Sequence, residues 1–226
     1  MSDHTLPPAQ HLVMIGAGGH ARVLLDALAE NKQQLSALCL PPQAPIPPWG
    51  RALPCMTSDA ELVERFPPGI TRLILGIGSV ATNHKRMHLF QHYQSLGYRF
   101  ASILHPHHYQ AREVVLGEGC QIMAGAIVQT ACILHDNVII NTRATVDHEC
   151  VIDSHVHIAP GAVLSGGIHI GCAAHIGTGA VIIQGLHIGA AALVAAGAVV
   201  VDNVPDGTAV AGVPAKPMRH KSLPHL

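Results

Sequence analysis

The sequence predicts two domains: an α/β domain with a small, Rossmann-like parallel sheet, followed by a parallel β-helix of hexapeptide repeats. Three observations predict this fold. Aliphatic residues recur at every sixth position from Leu116 to Val200, a glycine-rich turn joins an apolar segment to an amphipathic one near the N-terminus, and aromatic residues make up only 3% of the 226 residues. Because aromatic rings normally fill much of a core, so few of them indicate a regular architecture built from small residues.

The period of six is the strongest pattern in the chain. Fifteen consecutive hexads carry an aliphatic residue at one position, namely Leu116, Ile122, Val128, Leu134, Ile140, Val146, Ile152, Ile158, Leu164, Ile170, Ile176, Ile182, Ile188, Val194 and Val200. Four residues after each of these lies a small or aliphatic residue, from Cys120 and Ala126 to Ala198 and Val204. Two inward positions per hexad fit neither the helical period nor a simple strand. They fit triangular coils of three short strands, and fifteen hexads make five such coils.

The first hundred residues alternate between strand-like and helix-like patterns. Four strands are expected, at His11–Ile15, Ser36–Leu40, Arg72–Ile77 and Tyr98–Ile103, with a proline-rich loop over 41–54. The first expected helix has Ala21, Leu24, Leu25 and Leu28 on one face, and the last passes through Arg86, Leu89, Phe90 and Tyr93. Between them, a short helix runs from the capping box at Ser58–Glu61 to Pro67. Such alternation is typical of a parallel sheet. We therefore expect an α/β domain at 1–104, the β-helix at 105–205 and a closing segment at 206–226.

The composition excludes several classes of function. With 13 Lys and Arg against 14 Asp and Glu, and a pI near 7.0, the chain lacks the basic surface that binds nucleic acid or anionic membranes. No apolar run is long enough to span a bilayer, and the N-terminus has no signal-peptide pattern, so we expect a cytoplasmic protein. The six cysteines form no CxxC pairs, which argues against a structural zinc site.

Residues Gly16 to Ala21 fit the glycine pattern of nucleotide-binding turns, in which a phosphate approaches the backbone at a helix N-terminus. NAD-binding domains also carry an acidic residue at the end of the second strand, and residues 36–43 contain none. The pattern therefore favours the phosphate of a nucleotide sugar over NAD, and a purely structural glycine turn stays open as an alternative.

Three features together resemble one family: the Gly16–His20 turn, the dipeptide His105-Pro106, and Asp147-His148-Glu149-Cys150 within the repeat. This combination is similar to the sugar O- and N-acyltransferases with a left-handed β-helix. They include sialic acid O-acetyltransferases and acetyltransferases of nucleotide-linked 4-amino-4,6-dideoxy sugars. The resemblance covers nearly all of residues 11–219. It implies a left-handed coil, acetyl-CoA as co-substrate, no metal, a sugar acceptor, a homotrimer with active sites between subunits, and a role in cell-surface polysaccharide biosynthesis.

The resemblance also implies roles for individual residues. His148 would be the catalytic base and Glu149 would raise its basicity. His157, Gly166, Thr178 and Ala196 would lie on the acetyl-CoA side. Gly16, Ala17, Gly18, Gly19 and His20 would bind the acceptor. The residue types suit the reaction, because histidine takes up protons near neutral pH and a neighbouring carboxylate favours the imidazolium. Since neighbours on a strand face opposite ways, His148 and Glu149 can interact only if they lie at a corner of the coil.

Alternative interpretations remain. An O-acetyltransferase of sialic acid and a non-catalytic trimer that binds a sugar nucleotide fit the same pattern. A β-helix carbonic anhydrase is disfavoured, because no two histidines within 116–205 are five residues apart.

The pairs His157 with His175 and His169 with His187, each 18 apart, are expected to stack on the outer face. Cys132 and Cys150 are also 18 apart and are expected to stack inside the coil, where a disulfide would need oxidising conditions.

Overall fold

The structure is a computed structural model that describes residues 9–79 and 82–218. The N-terminal part is a five-stranded parallel sheet with three helices. Its strands are β1 His11–Ile15, β2 Ala37–Cys39, β3 Cys55–Met56, β4 Thr71–Leu75 and β5 Arg99–Phe100, and its helices are α1 Gly19–Glu30, α2 Asp59–Arg65 and α3 His84–Ser95. A 3₁₀ turn spans Pro48–Gly50. The strand order β3-β2-β1-β4-β5 places β1 at the centre, so its carboxyl end and the turn that follows lie at the middle of the sheet edge.

Two expectations about this sheet were wrong. The segment after the proline-rich loop adds β3, which pairs with β2 but is only two residues long, too short to show a period in the sequence. The strand expected at Tyr98–Ile103 is divided. Arg99–Phe100 completes the N-terminal sheet, whereas Ile103 pairs with Gln121 and starts the coil.

The C-terminal part is a left-handed parallel β-helix with three flat faces. The first face contains β6 Ile103–Leu104, β9 Gln121–Ile122, β12 Ile139–Ile140, β15 His157–Ile158, β18 His175–Ile176, β21 Leu193–Val194 and β23 Ala209–Ala211. The second face contains β7 Tyr109–Gln110, β10 Ile127–Val128, β13 Thr145–Val146, β16 Val163–Leu164, β19 Val181–Ile182 and β22 Val199–Val200. The third face contains β8 Val115–Leu116, β11 Ile133–Leu134, β14 Val151–Ile152, β17 His169–Ile170 and β20 His187–Ile188.

The interior of the coil follows the six-residue pattern. The second residue of each two-residue strand points inward, and these aliphatic side chains are buried from Ile122 to Val200, with Leu116 partly buried. The small residues four positions later lie beside them, and only Leu186 among these is partly buried. Strand β24, Lys216–Pro217, runs antiparallel to β23 and covers the last edge of the first face, which would otherwise be open to another chain.

The α/β domain covers the first face of the coil. Asn83 of the segment before α3 donates to the backbone oxygens of Ala173 and Ala174, and the side chain of Asn31 donates to the backbone oxygen of Leu104.

The coil begins at Ile103 and its first face runs to Ala211, so it extends beyond the repeat 105–205 at both ends. Within the described residues, no helix is long and apolar enough to cross a membrane.

Candidate active site

His148 and Glu149 lie at the corner between the second and third faces, which we call the second corner. His148 Nδ1 is 3.0 Å from Glu149 Oε2. Glu149 has a φ of 58°, in the left-handed region, and this conformation bends the chain so that the two consecutive side chains meet. The pair therefore forms at a turn, as the alternation of side chains along a strand requires.

The left-handed conformation at Glu149 belongs to the regular turn of the coil. Glycine occupies the equivalent position at several turns, such as Gly161, Gly167 and Gly179, and residues with a Cβ adopt it at Ala131, Asn137, Arg143, Glu149, His155, Ala173 and Ala191. Glycine adopts this conformation at less cost than any other residue. The turn therefore admits residues other than glycine, and Glu149 brings a carboxylate to this one.

Gly166, one coil further on, lies directly against the His148 ring. A Cβ at this position would be 2.4 Å from both Nε2 and Cε1 of His148. The carboxylate of Glu149 only accepts, so the proton of the neutral imidazole lies on Nδ1 and the Nε2 lone pair lies beside Gly166. In the described part of the chain the Gly166 amide N–H donates to no protein acceptor. The imidazole and a glycine whose amide makes no hydrogen bond within the described residues are therefore close neighbours.

The remaining predicted cofactor residues lie elsewhere on the coil. His157 is on the first face, while Thr178 and Ala196 are exposed at the corner between the first and second faces, the first corner. Thr178 accepts a backbone hydrogen bond from Gly197, as Thr142 and Pro160 of the same corner accept theirs from Gly161 and Gly179. The second corner is opposite the first face. A single chain therefore does not bring His148 together with His157.

The hydrogen bonds of His157 determine its tautomer. Asn141 Oδ1 accepts from the backbone N–H of Thr142 at 2.8 Å, so Asn141 Nδ2 is the group that faces His157 Nε2 at 3.0 Å. Nε2 must accept, and Nδ1–H then donates to Ser79 Oγ at 2.6 Å. Both ring nitrogens are occupied, so His157 holds Asn141 and Ser79 in position and has no free lone pair with which to act as a base.

The stacked histidines differ between faces, which corrects one expectation. His169 and His187 lie one above the other on the exposed third face, as the spacing predicts, with edge-to-face rings whose centroids are 4.9 Å apart. The rings of His157 and His175 are also edge to face at 4.9 Å, but they are buried and do not lie on the outer surface. The α/β domain covers them, and the repeat pattern alone carries no information on where that domain packs.

The glycine-rich turn leads from β1 into α1 and faces the coil. Gly16 has a φ of 91°, and a Cβ there would be 2.7 Å from Ile77, whereas Gly18 and Gly19 have open space around them. The His20 side chain forms a hydrogen bond with Gln121 of the coil, with His20 Nε2 2.7 Å from Gln121 Oε1. Because Gln121 Nε2 donates to the backbone oxygen of Leu75, its Oε1 must accept, and His20 Nδ1 keeps a lone pair that no donor among the described residues uses.

A cavity of about 530 Å³ lies between this turn and the coil, beside the hydrogen bond of His20 with Gln121. Its lining consists of His20, Val23, Gly78, Ser79, Asn141, Thr142, His157 and Pro160. Sequence analysis identified His20 and His157 but missed Ser79, Asn141 and Gln121. One signal was available for Ser79: it follows the end of β4 by four residues, as His20 follows β1 by five, and neighbouring parallel strands end at the same edge.

A second cavity of about 210 Å³ lies on the other side of the glycine turn, at the carboxyl ends of β1 and β2. Asp59 lines it together with Gly16, Pro41 and Lys85. No acidic residue follows β2 in the sequence, but Asp59, which begins α2, brings a carboxylate to the same cleft. Asp59 Oδ2 is 2.8 Å from His92 Nε2. The two cavities and the turn between them form one continuous edge of the sheet.

Burial keeps the histidines of the covered face neutral. Desolvation, with Arg86 nearby, lowers the pKa of His20 to about 4, and desolvation lowers the pKa of His175 to about 4. The pKa of His157 is well below its usual value, because the ring is desolvated and His175, His20 and Arg86 lie near it. Arg86 itself is buried and donates to the backbone oxygens of Leu75 and Ile77.

These pKa values predict a pH-dependent stability. Below pH 6.5 the unfolded chain protonates His20 and His175, whereas the folded chain does not until about pH 4, so the free energy of unfolding should decrease as the pH falls from 6.5 towards 4. Each histidine contributes up to about 2 kcal/mol to this loss at pH 5. Urea unfolding at pH 7.5 and pH 5.0 measures it, and His175→Gln should reduce the difference. Equal stabilities at the two pH values would contradict the burial of neutral imidazoles.

Comparison with known proteins places these features in context. No protein-family model and no curated protein matches the chain. Solved structures do match it. The acetyltransferase domain of PglB from Neisseria gonorrhoeae, in complex with acetyl coenzyme A, is 34% identical, and the match covers 93% of this chain and 100% of that one with a TM-score of 0.82.

Two further solved structures agree with this one. A His-to-Asn variant of perosamine N-acetyltransferase from Caulobacter crescentus, in complex with CoA and GDP-perosamine, is 32% identical over 93% of this chain and 97% of that one, with a TM-score of 0.85. WeeI from Acinetobacter baumannii is 27% identical over 92% of this chain and 99% of that one, with a TM-score of 0.79.

Within the described residues of the present chain, no group of three or more His, Cys, Asp or Glu side chains is placed to hold a metal ion.

Proposed function

The chain belongs to the hexapeptide-repeat family of sugar acetyltransferases, and we propose that it transfers acetyl from acetyl-CoA to the amino group of a nucleotide-linked 4-amino-4,6-dideoxy sugar. The observation that carries the acceptor proposal is the pair of cavities on either side of the Gly16–Gly19 turn. The similar enzyme in complex with CoA and GDP-perosamine supports it.

The three parts of a nucleotide sugar match the three parts of this edge. The base and ribose would occupy the smaller cavity beside Asp59 and Lys85. The diphosphate would lie over Gly18 and Gly19, where open space and the N-terminus of α1 favour an anion. The sugar would then enter the larger cavity, next to His20. Asp59 supplies the carboxylate that is missing after β2.

His148 is the proposed general base. As the acceptor nitrogen attacks the thioester carbonyl carbon, its proton passes to His148 Nε2, and the same proton is available to the CoA sulfur when the carbon–sulfur bond breaks. Glu149 accepts from Nδ1–H and stabilises the imidazolium that forms. Gly166 lies against the His148 ring, and its amide N–H, which donates to no acceptor among the described residues, would donate to the developing oxyanion.

This mechanism requires a second copy of the chain. His148 projects from the second corner, whereas His20, His157 and both cavities belong to the covered first face opposite it. We therefore propose a homotrimer in which the second corner of one subunit faces the first-face cavity of the next. Outward aliphatic and aromatic residues flank the second corner on both sides and support this packing. They are Tyr109 and Val163 on the second face and Val115 and Ile133 on the third.

Thr142, Pro160, Thr178 and Ala196 line the first corner with short side chains. We propose that acetyl-CoA lies along this column and that its thioester reaches the cavity near Asn141 and His157. The use of acetyl-CoA and of an activated sugar fits the expected cytoplasmic location and a role in polysaccharide biosynthesis.

The test is an assay of thiol release from acetyl-CoA with GDP- and UDP-linked 4-amino-4,6-dideoxy sugars, the free amino sugar and sialic acid as separate acceptors. We expect turnover with a nucleotide-linked amino sugar and a product whose acetyl group resists mild alkali, because it is an amide. An alkali-labile ester formed on sialic acid would establish the O-acetyltransferase instead. Binding of the nucleotide sugar without release of thiol would establish the non-catalytic alternative.

A further inference from the structure

Ser79 is a polar residue of the larger cavity that neither the catalytic pair nor the glycine turn includes. It lies beyond the end of β4, and the adjacent Gly78 lies close to His20, since a Cβ built on Gly78 would be 3.3 Å from the His20 Cβ. In a parallel sheet whose connections diverge on either side of β1 and β4, the ligand lies at the ends of those two strands. Ser79 and His20 therefore flank the acceptor side of the cavity.

The hydrogen bond between Ser79 and His157 has a defined direction. The chain of hydrogen bonds from Thr142 through Asn141 to His157 leaves His157 Nδ1–H as a donor, and Ser79 Oγ accepts it at 2.6 Å. The hydroxyl proton of Ser79 is not used in that bond. No acceptor among residues 9–79 and 82–218 takes this proton, so Ser79 offers a ligand in the cavity a donor.

We propose that Ser79 is a specificity residue whose hydroxyl donates to an oxygen atom of the sugar acceptor. The inference rests on the proposed function for the identity of that acceptor. A hydroxyl donor of this kind binds a hydroxyl, a ring oxygen or a carboxylate of the ligand through a lone pair. His157 and Asn141 are then positioning residues, because they set the direction of the Ser79 hydroxyl from the coil.

The experiment compares wild-type protein with Ser79→Ala and Ser79→Thr in steady-state acetyl transfer. Loss of one hydrogen bond should raise the acceptor KM about 3- to 10-fold in Ser79→Ala. The KM for acetyl-CoA should stay within about twofold of wild type, a split that a general structural defect would not produce. Ser79→Thr keeps the hydroxyl and should restore most of the acceptor affinity.

Three results would overturn the inference. The first is an unchanged acceptor KM in Ser79→Ala, and the second is a change confined to the KM for acetyl-CoA. The third comes from ¹⁵N NMR of the imidazole of His157 in the wild-type protein without ligand, which should show a proton on Nδ1. A proton on Nε2 alone would reverse the direction of the Ser79 bond. Absence of acetyl transfer by the wild-type protein would instead contradict the proposed function, whereas normal transfer by Ser79→Ala would contradict only the role of Ser79.

Discussion

Replacing His148 with alanine is expected to lower kcat by two to four orders of magnitude, the range that a positioned general base contributes. The side chain is 55% exposed at a turn, and its only hydrogen bond to a residue that the structure describes is the one with Glu149, so its removal should leave the fold intact. The KM values for both substrates should change little, because the ring accepts a proton in the transition state and does not bind either substrate in the ground state. Steady-state thiol release, with circular dichroism to verify folding, measures the effect.

His135 provides a matched control for this variant. It is also an exposed histidine at a turn of the coil, at the corner between the third and first faces. His135→Ala should retain wild-type kcat. If His148→Ala kept full turnover, or if both variants lost activity equally, His148 would not be the base.

Replacing Gly166 with valine is expected to cause a loss of kcat similar to that of His148→Ala, although no reactive group is removed. A Cβ at position 166 would be 2.4 Å from His148 Nε2, so the ring must move away from Glu149 and from the approaching acceptor. A displacement of about 1 Å at a reacting atom is enough to cost about 100-fold. Since His148 is exposed, the ring can swing towards solvent, and stability should fall much less than activity.

Gly69→Ala is the control for a glycine substitution, because a Cβ at position 69 meets nothing within 4 Å. It should leave both kcat and the thermal midpoint near wild type. Normal turnover in Gly166→Val would show that the His148 ring does not need the position it has in the structure. A crystal structure of the variant would then show whether the ring still contacts Glu149.

The sequence predicts the coil well because its interior imposes the same demand on every hexad. Each inward position admits one aliphatic or one small side chain, so the pattern is repeated fifteen times and is hard to miss. The N-terminal sheet is predicted less completely, since a strand such as Cys55–Met56 is too short to carry a period. Its existence depends on pairing with β2, a contact between segments that are distant in sequence.

The site is predictable only in part for a related reason. The phase of the hexads places His148 and Glu149 at a turn, so their contact follows from the sequence. The burial of His157 and His175 does not follow, because it depends on how the α/β domain packs on the first face. Ser79 lies 78 residues from His157 along the chain, and only the packed domains bring them together.

In the proposed trimer, each active site combines His148 of one subunit with the first-face cavity of the next. Co-expression of His148→Ala and His20→Ala chains with different affinity tags, followed by purification through both tags, gives trimers that contain both variants. Each variant alone should be nearly inactive, while mixed trimers should recover activity, with about one third of the sites intact, because every mixed trimer has one intact site of three. Mixed trimers as inactive as the two parents would contradict a site shared between subunits.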